Sequence, residues 1–197
     1  MRDRDLVRLY WPAELRPAFD ALLDIDDVMG DVVMRASQPA LAAIKLAWWR
    51  ERLEELDNGK VPAEPRLVAA ARELLPRGVR GADLAKLEAG WAAILQEVPD
   101  REAALERGNE LFARASTLLR ERLPERSTGR LFAAGSLRRR GIAVDADELA
   151  KTLSIPRSLR PLTALAALAK RDLSRVEPEA TPGRAWALLK HRLTGRI

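Results

Sequence analysis

The sequence contains no cysteine, which excludes disulfide bonds and metal sites built from thiolates. His191 is the single histidine, so a metal site formed by several imidazoles is excluded as well.

No apolar run approaches the roughly 20 residues that a membrane span requires, and the longest, residues 162–169, would cross less than half of a bilayer. The first eleven residues carry charges and lack the apolar stretch of a signal peptide. We therefore expect a cytoplasmic protein that does not cross a membrane, while peripheral contact with the inner membrane surface stays compatible with the sequence.

Residues that favour strands are also scarce, and Ala, Leu, Arg and Glu dominate instead, which favours helices throughout. Hydrophobic residues make up 47% of the chain, enough for a core, and the length suits one domain over residues 1–197. The net charge is only +5 over this length, so no nucleic-acid partner is expected. An excess of this size suits anionic small molecules or acidic lipid surfaces equally well.

Hydrophobic periodicity predicts an all-α protein of about eight or nine helices with no strand. Residues 1–15 are expected to be a lead-in segment, and Gly108, inside a predicted helix, indicates close packing or a kink. A further short turn is expected at 145–152. The predicted helices cover residues 16–35, 66–75, 81–98, 101–123, 126–139, 157–173 and 182–193, with one more running from Pro39 to a stop at Asn58–Gly59.

The helix at 16–35 carries an acidic stripe formed by Asp20, Asp24, Asp27 and Asp31. At about 100° per residue these four carboxylates fall within an arc of roughly 60°, on a helix that is otherwise almost wholly apolar. Carboxylates stacked one turn apart repel, so the stripe is expected to face water, a cation or a basic partner. Carboxylates at i and i+4 can jointly approach Mg²⁺, whose preferred ligands are one or two carboxylates with water and phosphate oxygens. The alternative is an ordinary solvated helix face.

Two other clusters have a functional and an ordinary interpretation. Arg50, behind Trp48 and Trp49, could bind a diphosphate substrate or stack on an indole, but core packing with Arg50 paired to an acid is favoured. The run 138–140 of three arginines is more typical of a solvated helix end than of a phosphate site. His191 has no identifiable acidic partner for a role as a base.

Three segments, RLYWPAELRPAFDALLDID, QPALAAIKLAWWRERLEEL and GRAWALLKHRLTGRI, resemble the squalene/phytoene synthase family, over residues 8–98 and again over 157–197. The similarity is greatest to divergent bacterial members related to a mitochondrial complex I assembly factor. The resemblance implies an isoprenoid-synthase fold, with helices around a central cavity. In active members, two aspartate-rich motifs hold Mg²⁺ ions that bind prenyl diphosphates. The resemblance assigns the first motif to Asp24, Asp27 and Asp31.

The sequence departs from that family in three respects. Gly30 falls where the first motif can require an acid, and no segment after residue 100 matches the second, Asn-x-x-Arg-Asp-x-x-x-Asp-like motif. The late cluster Asp145, Asp147 and Glu148 is no substitute, because Asp145 and Asp147 would lie on different helix faces. The chain is also shorter than a typical member, with the loss after GNELFARASTLL.

The leading hypothesis is therefore a non-catalytic member that acts as an assembly or interaction factor and needs no cofactor. The rival is an active prenyltransferase of isoprenoid biosynthesis that uses Mg²⁺, held by Asp24, Asp27 and Asp31, and prenyl diphosphates. A third alternative is a helical protein whose acidic stripe only binds a basic partner.

Overall fold

A computed structural model describes residues 2–122, 126–144, 149 and 153–197. These residues form an all-helical protein, and the only β-type pairing among them is an isolated bridge between Ser154 and Arg196. The helices are α1 (Asp3–Arg8), α2 (Arg16–Met34), α3 (Pro39–Leu56), α4 (Pro65–Glu73), α5 (Gly81–Ala85), α6 (Leu87–Ala92), α7 (Arg101–Leu119), α8 (Ser127–Arg139), α9 (Arg160–Ser174) and α10 (Pro182–Thr194). If α5 and α6 are counted as one bent segment, the described chain has nine helices, so the all-α prediction is confirmed. None of the described helices combines the length and the apolar character that a membrane span needs.

The helix bounds follow local signals in the sequence. Proline occupies the first turn of α2, α3, α4, α9 and α10, where its missing N–H group would have no partner within the helix. α3 is followed by Gly59 in the left-handed region at φ 74°, which a side chain would disfavour. α7 ends at Leu119, before the predicted end at residue 123, because Arg120 also has a left-handed backbone at φ 56°.

The segment predicted as one helix over 81–98 is bent at Lys86. Leu84 and Leu87, on either side of the bend, are both fully buried. α5 packs mainly against α3, whereas α6 packs mainly against α7, so the bend lets each half follow a different neighbour. At the start of α5, the carboxylate of Asp57 accepts the backbone N–H groups of Gly81 and Ala82, which fixes the segment to the end of α3.

α2 lies at the centre of the packing and contacts α1, α3, α4, α6 and α7. Most of its apolar side chains are buried, among them Phe19, Leu22, Ile25 and Met29. Burial of this kind contributes about 1.5–3 kcal/mol per side chain. The acidic stripe is therefore attached to a rigid, well-packed helix.

α7, α8 and α9 pack closely because small residues stand at their crossings. A Cβ atom on Gly108 would lie 1.9 Å from the carbonyl oxygen of Gly129, and one on Gly135 would lie 2.5 Å from the Cβ of Ala169. Of the two alternatives for Gly108, the structure shows close packing. This packing fixes the C-terminal end of α8, with its arginines, beside α2.

Residues 1–15, expected to be a lead-in segment, contain the helix α1. The buried carboxylate of Asp3 accepts hydrogen bonds from Arg184 at 2.6 Å and from the backbone of Ala180 at 2.8 Å. After α1, the buried Trp11 indole donates to the carbonyl of Pro161 at 3.1 Å. α1 is thereby held against α9 and α10 and runs alongside the acidic stripe of α2.

Candidate functional site

The acidic stripe of α2 is bound by arginines of the same chain. Nη1 of Arg4 lies 2.7 Å from Oδ1 of Asp24 and 3.4 Å from Oδ2 of Asp27. Nη2 of Arg4 donates to the backbone carbonyl of Asp20, and Nε of Arg8 lies 2.6 Å from the carboxylate of Asp20. Two guanidinium groups of α1 therefore contact three of the four stripe carboxylates and compensate part of their charge.

Further arginines add to this compensation. Nη2 of Arg140, just after α8, lies 3.1 Å from Oδ1 of Asp27, so this carboxylate has a guanidinium on each side. Arg35, one turn beyond Asp31, lies 3.0 Å from it, although both side chains are largely exposed. Arg140 belongs to the run 138–140, whose third residue is thus a stripe partner.

The electrostatics of Asp27 reflect this crowded position. Its side chain is 52% exposed at the mouth of a cleft, yet protein atoms surround its inner side. Partial desolvation raises the pKa of Asp27, the neighbouring Asp26 carboxylate raises the pKa further, and Arg140 and Arg4 oppose the increase. The arginines thus offset the unfavourable placement of a carboxylate here.

A cleft of about 370 Å³ lies beside the stripe, bordered by α1, α2, α8, α9 and α10. Leu23, Phe132, Leu165 and Leu168 form its apolar wall. Its polar lining contains both Asp27 and Asp31 on one side and a network of arginines with acids on the other.

That network is centred on the buried Arg184 of α10, which bonds Asp172 of α9 and Asp3 of α1. Burial opposes its charge, but the two carboxylates raise the pKa of Arg184 above its usual value. Arg139 also lies 3.1 Å from Asp172. Asp172 is the only acid of α9, and two arginines occupy its oxygens.

A second acid of α2, Asp26, points away from the stripe into the core. Its carboxylate accepts hydrogen bonds from Arg107 of α7 and, at 3.0 Å, from the indole of Trp91. The Arg107 guanidinium also lies 4.0 Å from the Trp91 ring centroid. Arg107 and Asp26 are both almost completely buried, so this pair joins α2, α6 and α7 in a dry environment.

The assignment of Asp24, Asp27 and Asp31 as magnesium ligands stays a prediction. No group of three metal-ligating side chains suited to a metal ion occurs in the described part of the chain. The oxygens of Asp24 and Asp27 that a cation would need face guanidinium groups instead. An acid at position 30 is excluded sterically, because a Cβ there would lie 2.8 Å from Trp91. The cluster Asp145, Asp147 and Glu148 lies outside the described residues.

Arg50, the predicted substrate-binding residue, is placed elsewhere by the structure. It lies on α3, is about half exposed, and approaches Glu88 of α6 at 3.9 Å. It is not among the residues that line the cleft beside Asp27. Trp49 is buried, whereas Trp48 is 41% exposed and meets Trp49 edge to face. The structure thus places Arg50 near an acid, and of the two indoles only Trp49 is packed in the core.

His191 is buried between α9 and α10. Its Nδ1 donates to the carbonyl of Arg196 at 3.1 Å, and its Nε2 lies 3.0 Å from the hydroxyl of Thr163. Burial lowers the pKa of His191. These contacts give the imidazole a structural role, and neither partner is an acid that could support a role as a base.

Sequence reasoning missed Arg4, Arg8 and Arg140 as partners of the stripe. Their pairing depends on how α1 and α8 approach α2, which helical periodicity does not specify. A signal did exist for α1, since its arginines recur at i and i+4 and can thus face one neighbour.

Comparison with known proteins leaves the site to be interpreted from its own contacts. No protein-family model, curated protein or solved structure gives a significant match to this chain.

Proposed function

We propose that this protein is a non-catalytic, divergent relative of the squalene/phytoene synthases and acts as an assembly or interaction factor. The observation that carries the proposal is the occupation of the acidic stripe by arginines. In an enzyme that releases diphosphate, metal ions must neutralise the departing charge, and carboxylates must be free to hold them. Here Arg4 and Arg140 take the place that such ions would need beside Asp27.

The outward face of α3 supports an interaction role. Leu41, Ile44 and Trp48 recur at i, i+3 and i+7 and are 48%, 66% and 41% exposed. The opposite face of the helix is apolar and buried, through Leu46, Trp49 and Leu53. Because only Lys45 interrupts the exposed apolar face between Leu41 and Trp48, the chemistry favours another protein with an apolar contact surface.

The test of non-catalysis is incubation of the purified protein with farnesyl or geranylgeranyl diphosphate and Mg²⁺, followed by measurement of released diphosphate. We expect no release above a protein-free control. Release that disappears in Asp27→Ala but persists in the exposed control Arg101→Ala would overturn the proposal.

The interaction role is tested by comparative capture with tagged protein. The variant Ile44→Asp should lose a partner that the wild type retains, because it places a charge in the centre of the α3 face. Leu189→Asp, a change to aspartate at an exposed leucine of α10, should retain that partner. Loss in both variants, or in neither, would contradict a contact through α3.

An active Mg²⁺-dependent prenyltransferase is the second candidate, and the cleft beside Asp27 favours it. The apolar wall of Leu23, Phe132, Leu165 and Leu168 has the character of a prenyl-chain site. This candidate requires the Arg4 and Arg140 pairs to open, and the diphosphate-release assay distinguishes it directly from the first.

A further inference from the structure

α10 has two faces of opposite character. Arg184, Leu188 and His191 are buried against the rest of the protein. Trp186, Leu189 and Leu193 point outward and are 66%, 41% and 69% exposed. Their i, i+3, i+7 spacing places them within an arc of roughly 60°, so they form one ridge along the helix, here called the α10 ridge.

Cations flank the α10 ridge on both sides. Lys190 lies on one side of it and Arg192 on the other, and Arg196 follows the helix; all three are exposed. No acidic residue occurs between Thr181 and Ile197. The charge near the ridge is therefore positive and uncompensated on its own segment.

A basic depression of about 390 Å³ adjoins the end of the ridge at Leu193. Arg157, Arg160 and Arg192 line it with Tyr10, and its described lining contains no acid. Arg160 donates to the carbonyls of Arg192 and Leu193 at 2.8 and 3.0 Å, and Arg192 stacks on the Tyr10 ring at 4.8 Å. Because these partners are uncharged, they orient the guanidinium groups without cancelling their charge.

The geometry points to a membrane surface that contains anionic phospholipids as the occupant of the α10 ridge and the basic depression. A helix lying in the interface buries tryptophan and leucine at the boundary between headgroups and acyl chains, and lysine and arginine beside them bind lipid phosphates. The depression provides fixed guanidinium donors for one such phosphate. A free phosphate ion could bind the basic depression through the same contacts as a lipid phosphate. It would, however, leave the apolar side chains of the α10 ridge exposed to water.

The proposal is independent of the arginine-filled stripe, since none of the ridge residues pairs with the acids of α2. It goes beyond the interaction role assigned to α3. Either surface can therefore fail its test while the other passes.

Flotation of the full chain with vesicles tests the ridge. The wild type should float with vesicles of phosphatidylcholine mixed with phosphatidylglycerol and should remain at the bottom with phosphatidylcholine alone. The variant W186A/L193A should bind the mixed vesicles about tenfold more weakly or worse, since it removes the apolar groups that would enter the lipid. The matched variant I44A/W48A removes an exposed isoleucine and tryptophan from α3 and should bind like the wild type.

A second pair of variants tests the charges. R157Q/K190Q should weaken binding by about fivefold per cation removed, and added salt should reduce the difference. The control K60Q/R101Q removes two exposed cations that are distant in sequence from α10. This control should bind the vesicles as the wild type does. Thermal melts by circular dichroism verify that every variant is folded, which is expected because all substituted side chains except the half-exposed Trp48 are mostly solvated.

Several results would overturn the proposal. One is absence of flotation with the mixed vesicles, and another is equal flotation with phosphatidylcholine alone. Equal losses in W186A/L193A and I44A/W48A would show a nonspecific apolar effect. Thermal stabilisation by inorganic phosphate without flotation would assign the depression to a free anion, and retention on polyglutamate without flotation would assign the surface to an acidic protein.

Discussion

Nη1 of Arg4 lies 2.7 Å from Oδ1 of Asp24, on the acidic face of the central helix α2. The same guanidinium reaches Asp27 and the backbone of Asp20, so one side chain spans two turns of the stripe. The arginine side chain is 13% exposed, which makes this a more effective contact than a typical surface ion pair. The protein thus provides its own cation along the acidic stripe.

Removal of this cation should destabilise the protein and create a response to Mg²⁺. Arg4→Ala leaves Asp20, Asp24 and Asp27 stacked with less compensation, and we expect the free energy of unfolding to fall by about 1–2 kcal/mol. Millimolar Mg²⁺ should restore part of that loss, measured by urea denaturation with and without the ion. Arg2→Ala removes an exposed arginine of the same segment and should change the free energy of unfolding by less than about 0.5 kcal/mol. Equal stabilisation of the wild type by Mg²⁺ would contradict an arginine-occupied stripe.

The buried pair of Asp26 and Arg107 should behave differently when one partner or both are replaced. Asp26→Asn leaves a guanidinium uncompensated in the core and should lower the free energy of unfolding by about 3–5 kcal/mol. The double variant Asp26→Leu with Arg107→Met should lose less than the single one, because no buried charge is left. Chemical denaturation of the wild type and the two variants measures the difference, and a loss in the double variant as large as that in Asp26→Asn would show that the two residues do not act as a pair.

The crossing of α7 and α8 should not tolerate a methyl group. Gly108→Ala improves helix propensity by about 1 kcal/mol, yet its Cβ would meet the backbone of Gly129, so we expect a net destabilisation of about 2–4 kcal/mol. Gly183→Ala is the matched control, since its Cβ would meet only the end of the Arg171 side chain. A thermal melt in which both variants match the wild type would show that the crossing can widen.

Asp83 should contribute a stabilisation that is lost in acid. The hydrogen bond from Arg80 and the nearby Lys86 and Arg114 lower its pKa from 3.8 to about 2 against the effect of desolvation. Because the folded state binds this proton less readily than the unfolded state, the contribution is complete above about pH 4 and disappears as the pH falls toward 2.

The variant Asp83→Asn tests this contribution. It should be less stable than the wild type by about 1–2 kcal/mol at neutral pH, a figure reduced for the exposure of Arg80 and Lys86. The two proteins should converge near pH 2 in urea titrations. A constant difference across the pH range would assign the effect to packing rather than to charge.

Hydrophobic periodicity and proline positions were sufficient to predict most of the fold. α2, α3 and α10 begin and end within a residue or two of the predicted bounds, because each is opened by a proline and has a well-defined apolar face. The bend at Lys86 could not be predicted, since it results from two different neighbours rather than from a local signal. The helix α1 was missed because six residues contain too few turns for a periodicity to be detected.

The candidate site was predicted less completely. The sequence identified Asp20, Asp24, Asp27 and Asp31 as a stripe, but the partners come from helices whose approach is a tertiary property. Asp26 was the missed acid, and the available signal was its position one helical turn from Leu22, Leu23 and Met29. A carboxylate on such a buried face requires a partner. That partner, Arg107, is 81 positions away, and no sequence rule links the two. The assignment of the stripe to a squalene/phytoene synthase motif stays a prediction.

The bond between Asp3 and Arg184 joins residues 181 positions apart. α1 is synthesised well before the residues that anchor it, Asp172 and Arg184. Contacts this distant in sequence form late, because the whole intervening chain must already be ordered. On a nascent chain, therefore, α1 would lack this anchor until α10 has been synthesised. The hold of α1 on the acidic stripe thus depends on residues of α9 and α10 that are synthesised much later.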